Sequence, residues 1–228
     1  MKREIITTAD GSSTIHLPDW NEQYHSKHGA IQEAYHVFIK HGLHYFYDQK
    51  LALKPKNTIS ILEVGFGTGL NAFITYLEAE KLKLKINYVG VEAYPVTLAE
   101  IQLLNYPFAL NAEDKADVFL KLHTTSWNTS HSINETFSIT KQQKTFDDIN
   151  AKNSFNIIYF DAFGARVQPE LWTETIFKKM FNALAQNGIL VTYSAKGSVR
   201  RAMQAVGFTV KKLPGPPGKR EMLQAIKL

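Results

Sequence analysis

The chain has 228 residues and no cysteine, with 44% hydrophobic, 12% aromatic and 21% charged residues. That is enough apolar material for one full core, which excludes a disordered chain, and the missing thiols exclude disulfides, Cys-zinc sites and thiol catalysis. The net charge of +5 is unevenly spread: residues 194–228 hold eight basic residues against the single acid Glu221, and the preceding body is near neutral. Such a segment implies a polyanionic partner, most often nucleic acid, with a solvated basic face as the alternative. No apolar h-region follows Met1-Lys2-Arg3-Glu4, and no apolar run approaches the ~20 residues of a membrane helix. A cytoplasmic protein without a membrane partner is therefore expected.

In chain order, Glu4-Ile5-Ile6-Thr7-Thr8 and Ser13-Thr14-Ile15-His16-Leu17 flank Ala9-Asp10-Gly11-Ser12 and read as a β-hairpin. Residues 20–28 are polar, aromatic and loop-like. Gly29 to Lys50 reads as one or two helices, with Ile31, Ala34, Tyr35, Phe38 and Ile39 on one face, and Pro55 and Asn57 mark a break. Ile59 to Val64 is apolar and mostly β-branched, as in a strand covered on both faces. It runs into Gly65-Phe66-Gly67-Thr68-Gly69, and then Leu70, Phe73, Ile74 and Leu77 recur at helical spacing. A strand, a glycine turn and a helix N-terminus together form a nucleotide-binding site, since glycine admits φ > 0 and lets backbone approach a ligand.

Ile86 to Glu92 is a second buried strand ending in an acid, and Pro95 is placed to open the following helix. A helix is predicted through Asp114–Leu122, followed by a Ser/Thr/Asn-rich loop. Phe137-Ser138-Ile139-Thr140 and Lys144-Thr145-Phe146-Asp147-Asp148 read as a strand with a hairpin or bulge. Phe155 to Asp161 is a strong central strand, Pro169–Leu184 a helix, Ile189–Ser194 a strand and Gly197–Val206 a helix. Phe208-Thr209-Val210 and Met222 to Ile226 close the chain as two strands around the stiff loop Pro214-Gly215-Pro216-Pro217-Gly218-Lys219-Arg220. Alternating strands and helices predict an α/β fold with a mainly parallel sheet. Two final strands with no helix between them predict an antiparallel terminal strand.

Ligands of open α/β sheets bind beyond the carboxyl ends of the strands. Four acids fall there. Glu63 precedes the glycine turn, Glu92 is placed to accept both ribose hydroxyls of a nucleoside, Asp148 (or Asp147) falls near the base, and Asp161 ends the fourth strand. Any one of them alone reads more readily as a helix cap; the four in succession favour a bound nucleoside.

The G-x-G-x-G spacing after Glu63, in place of the dinucleotide G-x-G-x-x-G, resembles motif I of class I S-adenosylmethionine methyltransferases, as does the seven-stranded pattern with its small N-terminal hairpin and helix extension. More specifically, Glu63 to Asn71, Asp161-Ala162-Phe163 with Pro169-Glu170-Leu171-Trp172, Thr192 to Arg201, and Pro214 to Met222 resemble the tRNA 5-methylaminomethyl-2-thiouridine methyltransferase domain of MnmC/MnmD type. Tyr24-His25-Ser26 and Val37-Phe38 resemble that family's N-terminal signature. The resemblance covers nearly the whole chain. Two features differ: there is no room for the FAD-dependent oxidase domain of bifunctional members, which implies the stand-alone form, and Gly164-Ala165-Arg166-Val167 replaces an Ala-Pro-rich stretch.

The resemblance implies residues 1–57 as an extension and 58–228 as a methyltransferase domain. It implies S-adenosyl-L-methionine as cofactor, held by Glu63, Gly65, Gly67, Gly69, Asn71, Glu92 and Asp148, and transfer of its methyl to the aminomethyl group on C5 of the tRNA wobble uridine. An alkyl amine is mostly protonated at neutral pH and must lose a proton to attack. Asp161 is the candidate to accept that proton or aim the lone pair.

Tyr24 and Phe163, both in loops, are candidates to stack on a splayed base, with Trp172 and Tyr193 behind them; for each, core packing is the alternative. Lys196, Arg200, Arg201, Lys219 and Arg220 are placed to meet phosphates of an anticodon stem-loop, and DNA is not expected. His25, His28, His36, His41 and His44 lack metal-ligand spacing, so no metal is expected. A small-molecule methyltransferase or a spermidine-synthase-like aminopropyltransferase is the alternative enzyme, and an RNA-binding module that keeps the fold without turnover is the alternative without one.

Overall fold

The computed structural model describes residues 2–51 and 58–228; Pro55 and Asn57, expected as a break, lie outside the described residues. The N-terminal hairpin forms as expected. β1 (Glu4–Thr7) and β2 (Ser13–Leu17) pair antiparallel from Glu4↔His16 to Thr7↔Ser13, and β3 (Glu22–Gln23) adds to β2 from the stretch expected to be loop. A continuous helical run follows as α1 (Ala30–Ala34), a π-helical middle (Tyr35–His44) and α2 (Tyr45–Leu51).

β4 (Ile59–Val64), α3 (Leu70–Leu82) and β5 (Ile86–Glu92) come next. The helix expected from Pro95 begins later, as α4 (Leu98–Ile101). Thr97 caps it, accepting the Glu100 N–H, while Glu100 returns to the Thr97 N–H at 2.9 Å. This reciprocal cap outcompetes proline as a start signal. α5 (Tyr106–Ala109) and α6 (Ala116–Thr124) lead to β6 (Ser130–Ser132), a short strand inside the expected Ser/Thr/Asn loop, and β7 (Phe137–Gln143). Residues Phe146–Asp148, read as part of a strand, instead form a single 3₁₀ turn. β8 (Phe155–Phe160) follows. The helix expected over Pro169–Leu184 divides into a 3₁₀ turn at Pro169–Trp172 and α7 (Glu174–Ala183), capped by Thr173. β9 (Leu184–Thr192), α8 (Gly197–Ala205), β10 (Thr209–Pro214) and β11 (Glu221–Ile226) complete the chain.

The large sheet has eight strands in the order β10-β11-β9-β8-β4-β5-β7-β6. β7, β5, β4, β8 and β9 run parallel, β11 lies antiparallel between β9 and β10, and β6 adds an antiparallel edge. Period-two alternation divides the core between two faces. On β4, Ile59 and Ile61 face α3 and the π-helical segment, and Leu62 and Val64 face α7 and α8. Ile15, Leu17, Ala30, Ala34 and Phe38 join the first face, so the N-terminal segment shares the sheet's core. Each such Ile, Leu or Phe side chain, taken from water, contributes about 1.5–3 kcal/mol before chain entropy is counted. Chain direction across the sheet reverses between β4 and β8, which opens a crevice at their carboxyl ends.

Candidate functional site

A cavity of about 880 Å³ lies at that crevice, lined by the glycine turn, the ends of β5 and β8, the segment after β7 and the N-terminal segment. The turn is forced by its glycines. Gly65, Gly67 and Gly69 have φ of +92°, +49° and +71°. A Cβ on Gly65 would stand 2.6 Å from the Asp161 carbonyl oxygen, so only glycine lets β4 and β8 finish side by side here. The Gly65 and Phe66 N–H groups both donate to the Val91 carbonyl, at 3.0 and 3.1 Å. The Gly67 N–H donates to Glu92 Oε2 at 3.0 Å and the Tyr94 N–H to Glu92 Oε1 at 2.9 Å. Glu92 is thereby fixed at the cavity wall, its outward lone pairs free to accept hydroxyl donors.

Behind the turn, Glu63 sits on the same sheet face as Ile61 and is 1% exposed. It accepts the Tyr88 hydroxyl at 2.8 Å and Asn71 Nδ2 at 2.9 Å. Asn71 Nδ2 donates its second hydrogen to Asp161 Oδ2 at 2.8 Å. Glu63 does not line the cavity; it holds Asn71, which in turn holds Asp161. Burial pushes the Glu63 carboxyl well above the usual range. Asp161, partly open to the cavity, is pushed up to about 7, first by burial and then by the Glu33 charge, against the pull of Asn71 and Lys219. A carboxyl titrating near neutrality at a strand end is suited to exchange a proton with a bound amine.

An aromatic wall lines the same cavity as Asp161. Tyr24 and Phe163 meet edge to face at 4.9 Å, and Trp20 packs on Phe163 at 5.8 Å. Burial raises the Tyr24 phenol to about 12, so it stays neutral, able to hydrogen-bond or stack. Trp172 is 5% exposed, packs on Phe160 and Phe177, and donates its indole N–H to the Phe163 carbonyl at 2.8 Å. It supports the wall from within the core. Tyr193 lines the cavity, its hydroxyl donating to the Ala162 carbonyl at 2.7 Å.

Of the residues expected from sequence, Gly65, Gly67, Asn71, Glu92, Asp161, Tyr24, Phe163 and Lys219 therefore meet at one cavity. Gly69 sits behind them, starting α3. Asp148 is exposed and accepts the Thr145 hydroxyl at 2.8 Å; its neighbours Thr145 and Phe146 are the ones that line the cavity. Lys219 and Arg220 part company: Lys219 turns inward onto Glu33, and Arg220 is exposed. Lys196 is exposed just before α8, and Arg200 is half-buried on it. Sequence reading missed Glu33, Glu22 and Arg3. Nothing in the chain marks them, because each reaches the cavity from the N-terminal segment only once that segment packs onto the face of the sheet.

A family model described as S-adenosyl-L-methionine-dependent methyltransferase matches residues 114–228. Among curated relatives, the tRNA 5-methylaminomethyl-2-thiouridine biosynthesis bifunctional protein MnmC of Hydrogenovibrio crunogenus is 26% identical over 97% of this chain and 33% of its own length. The protein of the same name from Actinobacillus pleuropneumoniae is 28% identical over 90% of this chain and 32% of its own length. The chain thus spans about a third of the curated relatives it matches. Among solved structures, MNMC2 from Aquifex aeolicus superposes with a TM-score of 0.76 at 24% identity, covering 98% of this chain and 69% of that one. Spermidine synthase from Thermotoga maritima shares the fold at a TM-score of 0.56 and 13% identity, covering 99% and 68%. Among the described residues, no helix is long and apolar enough to cross a membrane.

Proposed function

Because the chain belongs to the S-adenosyl-L-methionine-dependent methyltransferases, we propose that it methylates the primary amine of a 5-aminomethyl group on the wobble uridine of tRNA, yielding the 5-methylaminomethyl nucleoside. The observation that carries this reading is Asp161: a carboxyl near neutral pKa, held by Asn71, in a cavity it shares with an aromatic wall. The names of the curated relatives support the same substrate.

The cavity fits the cofactor. Gly65 and Gly67 bring bare backbone to the cavity wall, and Glu92 presents acceptors beside them. Gly65, Gly67, Asn71 and Glu92 would hold S-adenosyl-L-methionine, with Thr145 and Phe146 near its base. When bound, it supplies a methyl group already activated on a sulfonium, so the chain's task is orientation and proton handling. Tyr24 and Phe163 offer faces and edges for a base turned out of its stack. Asp161 accepts one proton from the substrate's ammonium nitrogen, freeing the lone pair, and Asn71 fixes the carboxyl that takes it. Lys196, Arg200 and Arg220 stand outside the cavity on the basic C-terminal segment, where phosphates of an anticodon stem-loop would be met.

Incubating the protein with S-adenosyl-L-methionine and tRNA carrying 5-aminomethyl-2-thiouridine, then digesting to nucleosides, is expected to show a one-methylene mass gain on that nucleoside. No gain there, with transfer to a free polyamine instead, would move the assignment to the small-molecule alternative. Glu92→Ala is expected to weaken cofactor binding roughly tenfold to a hundredfold by calorimetry, the loss of a charge-assisted hydrogen-bond acceptor. Unchanged affinity would remove Glu92 from the cofactor site.

A further inference from the structure

Beyond Asp161 the cavity is lined by an ion pair drawn from opposite ends of the chain. Glu33 comes from α1, and Lys219 from the loop between β10 and β11. Glu33 is 6% exposed. Its Oε2 accepts the Ser26 N–H at 2.9 Å, and its Oε1 accepts the Lys219 ammonium. The same ammonium lies 3.9 Å from the centre of the Tyr193 ring. Both charges act on Asp161, Glu33 raising its proton affinity and Lys219 lowering it. A primary alkylammonium is thus seated on a carboxylate and an aromatic face, within the electrostatic reach of the residue proposed to take the proton. None of these contacts serves the glycine turn or Glu92.

The group that Lys219 presents there, an ammonium on a methylene, is the group that an aminomethyl-uridine presents. We propose that Glu33 and the Tyr193 ring form the seat for the substrate's ammonium, and that Lys219 occupies this seat in the free protein and yields it when substrate enters. The inference rests on the proposed acceptor and deepens it, by adding a residue that selects a cationic amine.

Two physical points support the exchange. A buried carboxylate without a partner is costly, so a cation must cover Glu33 while the cavity is empty of substrate. Replacing one ammonium by another keeps the charge balance of the cavity. The Lys219 side chain is 32% exposed. Rotation about its own four-carbon stem is enough to withdraw the ammonium, with no movement required of the backbone. Carboxylate plus ring face is also a discriminating pair. It rewards a cation and offers nothing to a neutral methyl or hydroxymethyl group at the same uridine position.

The test uses the full chain with Lys219→Ala and n-propylammonium, which replaces the severed end of the lysine. Millimolar propylammonium is expected to raise the melting temperature of Lys219→Ala by several degrees, as any ligand specific for the folded state does. It is expected to leave the unaltered protein and the Glu33→Gln/Lys219→Ala double variant unmoved. Equal stabilisation of the single and double variants, or none of either, would overturn the seat. If Lys219→Ala does not fold, Glu33→Gln alone decides: KM for the modified tRNA should rise about tenfold with cofactor affinity unchanged, and an unchanged KM refutes the proposal. The melting experiment needs no tRNA, and the nucleoside assay needs no Glu33 variant, so failure of the seat and failure of the proposed substrate are read separately.

Discussion

Asp161→Asn is expected to lower methyl transfer at least about 100-fold while making the ligand-free protein more stable above neutral pH. The two effects share one cause. The carboxyl stands at about 7 in the folded chain against a usual 3.8, so the fold disfavours its ionised form. The sign follows from linkage. Between about pH 4 and pH 7 the folded state holds the proton that the unfolded state has lost, so stability falls as pH rises through that window and levels off above it. The gap corresponds to roughly 4 kcal/mol, an upper figure because the carboxyl keeps some contact with the cavity.

An asparagine cannot ionise, and its amide oxygen can still accept the Asn71 hydrogen bond. The variant should therefore melt roughly 5–10 °C above the unaltered protein at pH 8, with little difference at pH 4. A gain that is the same at both pH values would show that the Asp161 charge is not the penalised group. Retained transfer within a few-fold would show that the carboxylate is not needed for the chemistry. The penalty is a cost that function explains: a carboxyl kept in a partly dry site is the one able to take a proton from an ammonium near neutral pH.

Gly65→Ala is expected to destabilise the chain severely and to abolish cofactor binding. Two costs add. The φ of +92° lies where an L side chain is strained, and the new methyl would stand 2.6 Å from the Asp161 carbonyl oxygen, which is backbone and has little room to yield. Strain alone costs about 1–2 kcal/mol; parting the ends of β4 and β8 adds several more and displaces Asp161 itself. Gly11 supplies the control. Its φ is +82° with open space where a Cβ would stand, so Gly11→Ala should show the strain cost alone, a drop of a few degrees in Tm. If the two variants melt together, backbone proximity at the glycine turn is not what Gly65 provides.

The strand–turn–helix from Ile59 to Leu82 was legible because its signals are local. β-Branched residues, glycines and helical spacing each act within a few residues. Glu92 and Asp161 were legible for a related reason: an acid that ends a buried strand must lie at the ligand edge of a parallel sheet. The same local logic misplaced the helix start at Pro95, where the Thr97–Glu100 cap prevailed, and extended a strand through Phe146–Asp148, which turn instead. It missed β6, because Ser130–Ser132 has no strand propensity and pairs only since β7 lies beside it.

By itself the chain's order of residues determined the α/β architecture, the glycine cradle with its strand-end acids, and a basic C-terminal segment. All of these follow from short-range pattern and composition. What Lys219 does was decided only by tertiary structure. In sequence it is one cation of a basic loop facing outward with Arg220. In the fold, the N-terminal segment brings Glu33 to the same cavity, and Lys219 turns in to meet it. Glu63 changes in the same way, from a ligand-edge acid to the buried support of Asn71 and Asp161, because period two turns it toward α3. Contacts between residues far apart in the chain leave no periodic trace in sequence. They exist only after burial has chosen which polar groups must pair.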